Sequence, residues 1–399
     1  MLQDAYREVK KHYYDPNLQG LDWDARYQQY SARIGTARDL GVGFRIVAAF
    51  LSGLKDSHTY FVPPARASRY DTGYRFLLVG DACFIAHVRP GTDAESKVSV
   101  GDQVLRLNGY DVNREDFHDI EYSFGTLEHH PSVQFDLRSP DGKERQVQVN
   151  AFSRPTRLVL DLTQGGDAMD LERKAEMEDE VTRSRIVEFA DDASIWKLQQ
   201  FDLNAAEVES AFGTVEKRKT LILDLRGNSG GSVDMLKYMV GSLFDHEVKI
   251  SDRVGKNETK PIVSKRLGKP FAGKVIVLVD SGSASASEVL ARVIQLEHRG
   301  TVVGDRTAGA VMEAKYYSES QGVDSRFYYG FSVTDANLIM SDGHTLEKTG
   351  VTPDELLLPT GADLAAGRDA VLAHAAKLAG VDLDPAAAGK LFPFKWLPL

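Results

Sequence analysis

Two mostly apolar runs, at residues 220–225 and 274–279, constrain the fold of this chain more than any other feature. Each run is followed by small residues and then by a segment with helical periodicity, at 233–244 and 288–296 respectively. A strand that is apolar on both faces is buried on both faces, which is typical of a parallel sheet covered by helices. We therefore predict an α/β core over residues 186–360, built on a mostly parallel sheet.

The remaining sequence predicts four further parts in a chain of 399 residues, which is long enough for more than one domain. Residues 1–66 have helical periodicity and are predicted to form an N-terminal helical domain with three helices, at 2–14, at 22–37 and from Asp39 onwards. The period changes towards two over residues 67–155, which predicts a small β-rich domain with a hairpin turn at Ser-Pro-Asp-Gly, 139–142. A linker (156–185) with a charged helix at 169–182, and a C-terminal helix at 363–378 with its tail (361–399), complete the predicted multi-domain fold.

Composition and charge exclude several classes of partner. The formal net charge is -10 and no long basic block occurs, so a nucleic-acid partner is not expected. No apolar run is long enough to span a bilayer. The single cysteine, Cys83, lies in an apolar stretch and is predicted to be a small buried residue. Because paired Cys/His spacing and a His-Glu-x-x-His motif are both missing from the sequence, no metal and no other cofactor is predicted.

Small residues follow both buried strands at the point where each strand gives way to a helix. Asp-Leu-Arg-Gly-Asn-Ser-Gly-Gly occupies 224–231, and its glycines leave backbone N–H groups open to a ligand atom. Ser-Gly-Ser-Ala-Ser-Ala-Ser-Glu occupies 281–288, where a serine would be exposed beside the positive end of a helix dipole. A plain glycine turn and a serine helix cap are the alternatives. Glu288 is placed to complete a capping box.

Two further motifs carry little information by themselves. Asp-Ser-His-Thr at 56–59 follows the third predicted helix, and Glu-Lys-Thr-Gly-Val-Thr-Pro-Asp occupies 347–354. A single histidine after a helix is usually structural or exposed, and the chain has 10 histidines, so spacing alone selects none of them. The second motif alone indicates a surface turn.

In combination and in this order, the motifs resemble those of the carboxyl-terminal-processing, or tail-specific, serine proteases. The resemblance also takes in Thr-Val-Val-Gly at 301–304, Thr-Ala-Gly at 307–309 and Gly-Val-Thr-Pro-Asp at 350–354. It implies that Ser285 is the nucleophile and that the backbone N–H groups of Gly231 and Ala286 form the oxyanion hole.

One departure from the family pattern concerns the general base. Many members carry a lysine directly after Thr-x-Gly, but this chain has Ala310 there, which cannot accept a proton. The tricorn-like branch of the family instead uses a histidine preceded by a serine, together with a distant glutamate. Ser57, His58 and Glu347 match that arrangement, so the resemblance implies that His58 takes the proton of the nucleophile. Lys315 is the alternative base, although the motif register does not place it at the site.

The β-rich region resembles the PDZ domains that are attached to proteases. The resemblance rests on Pro-Gly-Thr-Asp-Ala at 90–94 and on Val-Gly-Asp-Gln-Val-Leu-Arg-Leu-Asn-Gly at 100–109. It implies an extended peptide added to the sheet edge. The peptide carboxylate would be received by the backbone N–H groups of a loop formed by Gly73, Tyr74, Arg75 and Phe76. A structural domain with a closed groove is the alternative.

The resemblance as a whole implies a serine endopeptidase that cleaves unfolded or C-terminal peptide segments through an acyl-enzyme. The alternative is a non-catalytic ligand- or peptide-binding protein on the same fold. Either one is compatible with a homo-oligomer. The family is mostly exported, which implies a periplasmic or secreted protein whose leader is absent from this numbering. The N-terminus has no signal-peptide pattern, so a cytoplasmic location is the alternative.

Overall fold

The computed structural model of the chain describes residues 1–66, 68–128, 130–155, 183–190, 192–322 and 326–397. The helix predicted at 169–182 and most of the linker around it lie outside these ranges. The mixed α/β fold with several sheets confirms the predicted fold class. None of the helices in these ranges is long and apolar enough to cross a membrane.

Three helices form the N-terminal part, as predicted: α1 (Leu2–His12), α2 (Trp23–Ile34) and α3 (Leu40–Ser52), with the short strand β1 (Tyr60–Val62) after them. Asp22 and Asp39 cap α2 and α3, because each side chain accepts a hydrogen bond from a backbone N–H in the first turn. The apolar faces of the helices pack around Phe50 and Phe61. The segment between α3 and β1 is therefore held against a packed core.

The described residues of the β-rich block, 68–128 and 130–155, contain eight strands and one α-helix. In chain order they are β2 (Ser68–Asp71), β3 (Tyr74–Val79), β4 (Ala82–Val88), β5 (Gln103–Leu107), β6 (Tyr110–Asp111), α4 (Phe117–Tyr122), β7 (Ser132–Arg138), β8 (Glu144–Asn150) and β9 (Phe152–Pro155). Strands β3-β4-β5-β7-β8 form one antiparallel sheet with β6 beside β5, and β2 pairs with β9. Cys83 is fully buried in this block, as predicted.

The rest of the chain forms the α/β core and the C-terminal helices. In chain order the elements are β10 (Arg185–Phe189), β11 (Ala193–Lys197), α5 (Ala205–Val215), β12 (Thr220–Asp224), α6 (Val233–Leu243), β13 (Lys249–Gly255), β14 (Thr259–Val263), β15 (Lys274–Val279), α7 (Ala286–Leu296), β16 (Gly300–Gly304), β17 (Met312–Gln321), β18 (Phe327–Met340), β19 (Glu355–Leu356), α8 (Gly361–Ala365), α9 (Ala370–Leu378) and α10 (Pro385–Ala388). The central sheet has the order β10-β11-β12-β15-β16-β19, and only the β10–β11 pair is antiparallel. Helices α5 to α7 pack on one face and α9 on the other, which confirms the mostly parallel, helix-covered sheet.

A second sheet joins distant parts of the chain. Its strands have the order β1-β18-β13-β14, and β17 also pairs with β18. Tyr60 lies opposite Ser332 and Phe61 opposite Phe331, so the residues just before β1 are held beside the core. The domain boundaries stay predictions, since a strand from the predicted N-terminal domain completes a sheet of the core.

The C-terminal helix predicted at 363–378 is wrong in one respect, because the structure has two helices there. Gly367 lies between them with φ +61°, and the Asp369 side chain caps α9. After α10 the chain returns to the β-rich block, where the ring centroid of Trp396 lies 4.4 Å from the guanidinium carbon of Arg89. The tail predicted after the last helix is thus packed against another part of the molecule.

The β-rich block is fixed to the core through Arg114. Its guanidinium donates to Asp305 Oδ2 (2.6 Å) and to the Gly80 carbonyl (2.7 Å), and both charged side chains are largely buried. Removing one partner of a buried ion pair leaves an uncompensated charge. We therefore expect Arg114→Ala to lower the free energy of unfolding, measured in urea, by about 3 kcal/mol. The control is Arg106→Ala, which removes an exposed pair with Asp111 and should cost less than about 1 kcal/mol; equal losses would contradict this assignment.

Candidate active site

The two small-residue segments meet at the carboxyl edge of the central sheet. Strands β12 and β15 are adjacent and parallel, so the loops that follow them, 225–232 and 280–285, lie side by side. Asp280 Oδ1 joins these loops by accepting from the backbone N–H groups of Gly227 (2.8 Å) and Gly282 (2.9 Å). Side chains from both loops are therefore held by rigid strands.

Ser285 immediately precedes α7 and has a backbone conformation that non-glycine residues rarely adopt. Its φ is +55° and its ψ is −118°. Such a conformation costs on the order of 1–3 kcal/mol and persists only where surrounding contacts enforce it. The Ser285 N–H donates to the Ala310 carbonyl (3.0 Å) and to the Glu288 carboxylate (3.0 Å). These bonds hold the half-buried serine at the N-terminus of α7.

Two glycines of the first loop lie against this serine. Gly230 has φ +96°, and a Cβ there would lie 2.7 Å from Ser285 Cβ and 2.9 Å from Ala286 N. The next residue, Gly231, has φ +141°. Within the described ranges, neither the N–H of Gly231 nor that of Ala286 donates to an acceptor in the protein. Two unpaired donors of this kind can bind a negatively charged oxygen.

Asn228, which sequence reasoning did not single out, sets the course of the glycine loop. Its fully buried side chain accepts from Gly230 N (2.8 Å) and donates to the Leu198 carbonyl (2.9 Å). Its own carbonyl accepts from the Ser287 hydroxyl (3.0 Å) in α7. The one available signal was an asparagine inside a glycine loop after a buried strand, and that signal does not reveal the partners.

Glu288 organises the opposite wall of the site. Its fully buried carboxylate accepts four hydrogen bonds, from the Thr307 hydroxyl and from the backbone N–H groups of Ser285, Gly309 and Ala310. Burial raises the pKa of Glu288, and these hydrogen bonds oppose the rise. The bond to Ser285 N is the capping interaction predicted from the sequence, and the other three bonds fix the chain just before β17.

Ser57, His58 and Glu347 lie together, although 290 positions separate Ser57 from Glu347. Glu347 Oε1 accepts from Ser57 N (2.7 Å), and Glu347 Oε2 accepts from the Ser57 hydroxyl (2.8 Å). The Ser57 oxygen also lies 2.7 Å from His58 Nδ1. A hydroxyl has one proton, and here Glu347 receives it, so Nδ1 of His58 must be the donor to Ser57. The unprotonated nitrogen of the neutral imidazole is therefore Nε2.

The histidine cluster and the serine loop meet at one pair of adjacent residues. Val311 N donates to Glu347 Oε2 (2.9 Å), and the carbonyl of the preceding Ala310 accepts from Ser285 N (3.0 Å). In the part of the chain that the structure describes, no hydrogen bond joins Ser285 Oγ to the His58 ring. Such bonds often tighten only when substrate is bound. The structure thus brings the predicted residues to a common segment.

Burial sets the protonation behaviour of this cluster. It lowers the pKa of His58 below the ordinary value of 6.5, and the Asp56 carboxylate opposes that shift. Burial also raises the pKa of Glu347 above its ordinary value of 4.5, while hydrogen bonds from Ser57 and Val311 hold it down. At neutral pH the His58 imidazole is consequently in its basic form.

Lys315, the alternative base, is paired with Asp335 rather than with Ser285. Its Nζ lies 2.9 Å from Asp335 Oδ2, and its side chain is 66% exposed. The hydrogen bond to Asp335 raises the pKa of Lys315 above its ordinary value of 10.5, so the amine is already protonated at neutral pH and cannot take up a further proton. Ala310 contributes only its backbone to the site.

The residues predicted to receive a peptide carboxylate lie at and just before the start of β3. Tyr74 and Phe76 point into the core of the β-rich block. Arg75 faces the other side, where its guanidinium carbon lies 5.0 Å from the ring centroid of Trp396. Gly73 has φ +73°. The peptide-binding role of this loop stays a prediction.

The chain is similar to known peptidases in both sequence and structure. Residues 193–357 match peptidase family S41, and residues 1–39 match the tricorn protease C1 domain. The chain is 24% identical over 375 residues to the carboxyl-terminal-processing protease of Picosynechococcus sp., with 90% of this chain and 82% of that protein covered. Mature CPAF has a similar structure, with a TM-score of 0.68 at 15% identity over 91% of this chain and 93% of that one. The photosystem II D1 C-terminal processing protease has a TM-score of 0.52 at 19% identity over 89% of this chain and 92% of that one.

Proposed function

We propose that this chain, a serine protease of peptidase family S41, cleaves unfolded or C-terminal peptide segments through an acyl-enzyme. Ser285 is the nucleophile and His58 the general base in this proposal. The observation that carries it is the series of hydrogen bonds from Glu347 through Ser57 to His58 Nδ1, which leaves Nε2 as a proton acceptor.

The proposed reaction has two steps that share one base. His58 Nε2 takes the proton of Ser285 Oγ while that oxygen attacks the carbonyl carbon of the scissile peptide bond. The negatively charged oxygen of the tetrahedral intermediate binds the N–H groups of Gly231 and Ala286. The C–N bond then breaks, and His58 gives the proton to the leaving amine. Water deprotonated by His58 next attacks the ester carbonyl carbon, the bond from that carbon to Ser285 Oγ breaks and releases the new carboxyl terminus, and His58 returns the proton to Ser285 Oγ.

Ser57 and Glu347 orient the imidazole and stabilise its charged form. Because Glu347 accepts the Ser57 proton, the Ser57 oxygen keeps a lone pair for His58 Nδ1–H and fixes the tautomer. When Nε2 takes a proton, the ring becomes positive, and the Glu347 carboxylate lies one hydroxyl away. A carboxylate in that position offsets part of the cost that burial imposes on the charged ring.

The pH dependence follows from the direction of the His58 pKa shift. The imidazole accepts a proton only when neutral, so kcat/KM falls as the pH falls through its pKa. Because burial lowers the pKa of His58, we expect the acid limb of the kcat/KM profile to lie below 6.5, with full activity at neutral pH. Lys315→Ala should leave that limb in place. An activity that appears only in the alkaline range and is lost in Lys315→Ala would contradict the histidine scheme.

The proposed substrate is an extended chain rather than a folded protein. The relative from Picosynechococcus sp. is named for processing carboxyl termini. Strand β3 lies at the edge of its sheet, and an edge strand can pair with an extended peptide. In this proposal the β-rich block acts as a PDZ-like module, and the loop at Gly73 receives the peptide carboxylate. Export and homo-oligomer formation also stay predictions.

A fluorophosphonate probe tests the proposal, because it bonds covalently to an activated serine. We expect one modification, mapped by mass spectrometry to the peptide that contains Ser285, together with cleavage of a disordered peptide. The non-catalytic alternative predicts peptide binding without labelling. Labelling confined to another serine would overturn the assignment of the nucleophile.

A further inference from the structure

We propose that Asp56 is a positioning residue for the general base: its carboxylate fixes the backbone around His58 so that the ring can face Ser57 on one side and Ser285 on the other. This inference rests on the proposed function, in which His58 takes the nucleophile's proton. Asp56 touches neither the substrate nor the reacting atoms, and it acts through the histidine.

The Asp56 carboxylate holds four donors from three parts of the chain. Oδ1 accepts from His58 N (3.0 Å), Thr59 N (2.7 Å) and the Thr334 hydroxyl (2.6 Å). Oδ2 accepts from the Tyr13 hydroxyl (2.8 Å). Two of these bonds shape the turn that carries the histidine, and the other two anchor that turn to strand β18 and to the end of α1.

The turn that carries His58 is itself part of no helix or strand, so no regular backbone hydrogen bonding fixes its conformation. Helix α3 ends at Ser52, β1 begins at Tyr60, and Lys55 between them has a left-handed φ of +55°. An aspartate that accepts from the N–H groups two and three residues ahead closes a local turn. The direction in which His58 leaves the backbone is thus set by the Asp56 side chain.

The two anchoring donors are rigid. Tyr13 and Thr334 are both 0% exposed. Burial raises the pKa of Tyr13, so its hydroxyl stays protonated and remains a donor. Thr334 N also donates to Thr59 Oγ1 (3.1 Å), which ties the turn to β18 a second time. An aspartate that served only as a polar surface residue of the turn would not need two buried hydroxyl donors.

The charge of Asp56 affects the pKa of His58, and a purely structural role would leave that pKa unchanged. Its carboxylate raises the pKa of His58 against the lowering by burial. Glu347 meets the ring through one hydroxyl, and the phenols of Tyr13 and Tyr14 stay neutral nearby because burial raises the pKa of both. Removing the Asp56 charge therefore lowers the pKa of His58 further.

Asp56→Asn keeps the size of the side chain but loses the charge and one acceptor oxygen. We expect kcat to fall about 10- to 100-fold with little change in KM, because a displacement of about 1 Å at a reacting group costs that much. The acid limb of the pH profile should move to lower pH.

Tyr13→Phe removes one anchor and keeps the charge, so kcat should fall severalfold with the acid limb in place. In the control, Asp384→Asn, a remote aspartate also accepts from two backbone N–H groups, and kcat should not change.

An acid limb that stays in place in Asp56→Asn, with a loss of kcat no larger than in Asp384→Asn, overturns the inference. If Asp56→Asn does not fold, Tyr13→Phe decides, and an unchanged kcat in a folded Tyr13→Phe protein overturns it as well. These failures differ from failure of the proposed function. Activity that survives in Ser285→Ala or His58→Ala removes the function itself, whereas a normal Asp56→Asn beside an inactive His58→Ala removes only the positioning role.

Discussion

Replacing Ser285 by alanine is expected to lower kcat/KM for an unstructured peptide by about 10⁴-fold or more, and His58→Ala should lose a similar factor. The serine variant has no oxygen to form the proposed acyl-enzyme. The histidine variant leaves the Ser285 proton without an acceptor, because the competing Lys315 is paired with Asp335. The measurement is cleavage of a fluorogenic peptide under single-turnover conditions, with the enzyme in excess.

Two surface substitutions serve as matched controls for these losses. Ser320→Ala removes an exposed serine hydroxyl on β17, and His246→Ala removes an exposed imidazole that lies beside the Asp245 and Glu297 carboxylates and the Phe244 ring. Neither residue lies at the sheet edge that carries the site, so both variants should keep wild-type kcat/KM. Circular dichroism of all four variants separates loss of chemistry from loss of fold. A folded Ser285→Ala protein with substantial activity would remove this serine from the reaction.

Gly230→Ala is the second substitution with a large expected effect. The new Cβ would lie 2.7 Å from Ser285 Cβ, 2.8 Å from the Ala284 carbonyl oxygen and 2.9 Å from Ala286 N, at a residue whose φ is +96°. All three neighbours belong to the turn that presents the serine, so the backbone must move at the proposed nucleophile and at the proposed Ala286 donor. Loss of one oxyanion donor costs about 10²- to 10³-fold in kcat, and a misplaced nucleophile costs about 10²-fold more. We expect kcat to fall by at least about 10³-fold.

Gly227→Ala is the control within the same loop. Gly227 also has a positive φ, +70°, but a Cβ there meets no atom within 4 Å. Its cost is the backbone strain of about 1 kcal/mol, which should appear in stability more than in kcat. Equal losses of kcat in the two variants would show that strain in the loop, rather than the approach to Ser285, explains the effect.

The fold could be predicted where burial dominates the sequence pattern. Strands β12 and β15 are apolar on both faces, so their burial and their place in a parallel sheet follow from the residues alone. Strands β13 and β14 could not be predicted, because polar residues interrupt them and β13 is held by pairing with β18. The break before α9 depends on Asp369, which caps the helix and also pairs with the distant Arg226.

The candidate site could likewise be predicted only in part. The loops after β12 and β15 could be placed at one edge of the sheet, because their strands could be predicted. The contact between Ser57 and Glu347 spans 290 positions, and only a resemblance to known proteases indicated it. Asn228 and Asp56 work by holding backbone N–H groups with their side chains. No periodicity or composition records which N–H group a side chain will meet in the fold.

The most direct test of the proposed Ser285–His58 partnership is a double-mutant cycle on kcat. Residues that act as one unit are strongly non-additive, since removal of either already stops the shared step. We therefore expect Ser285→Ala/His58→Ala to be no slower than the more damaged single variant. If the double variant instead loses the product of the two single losses, the two side chains act independently, and His58 is not the base that serves Ser285.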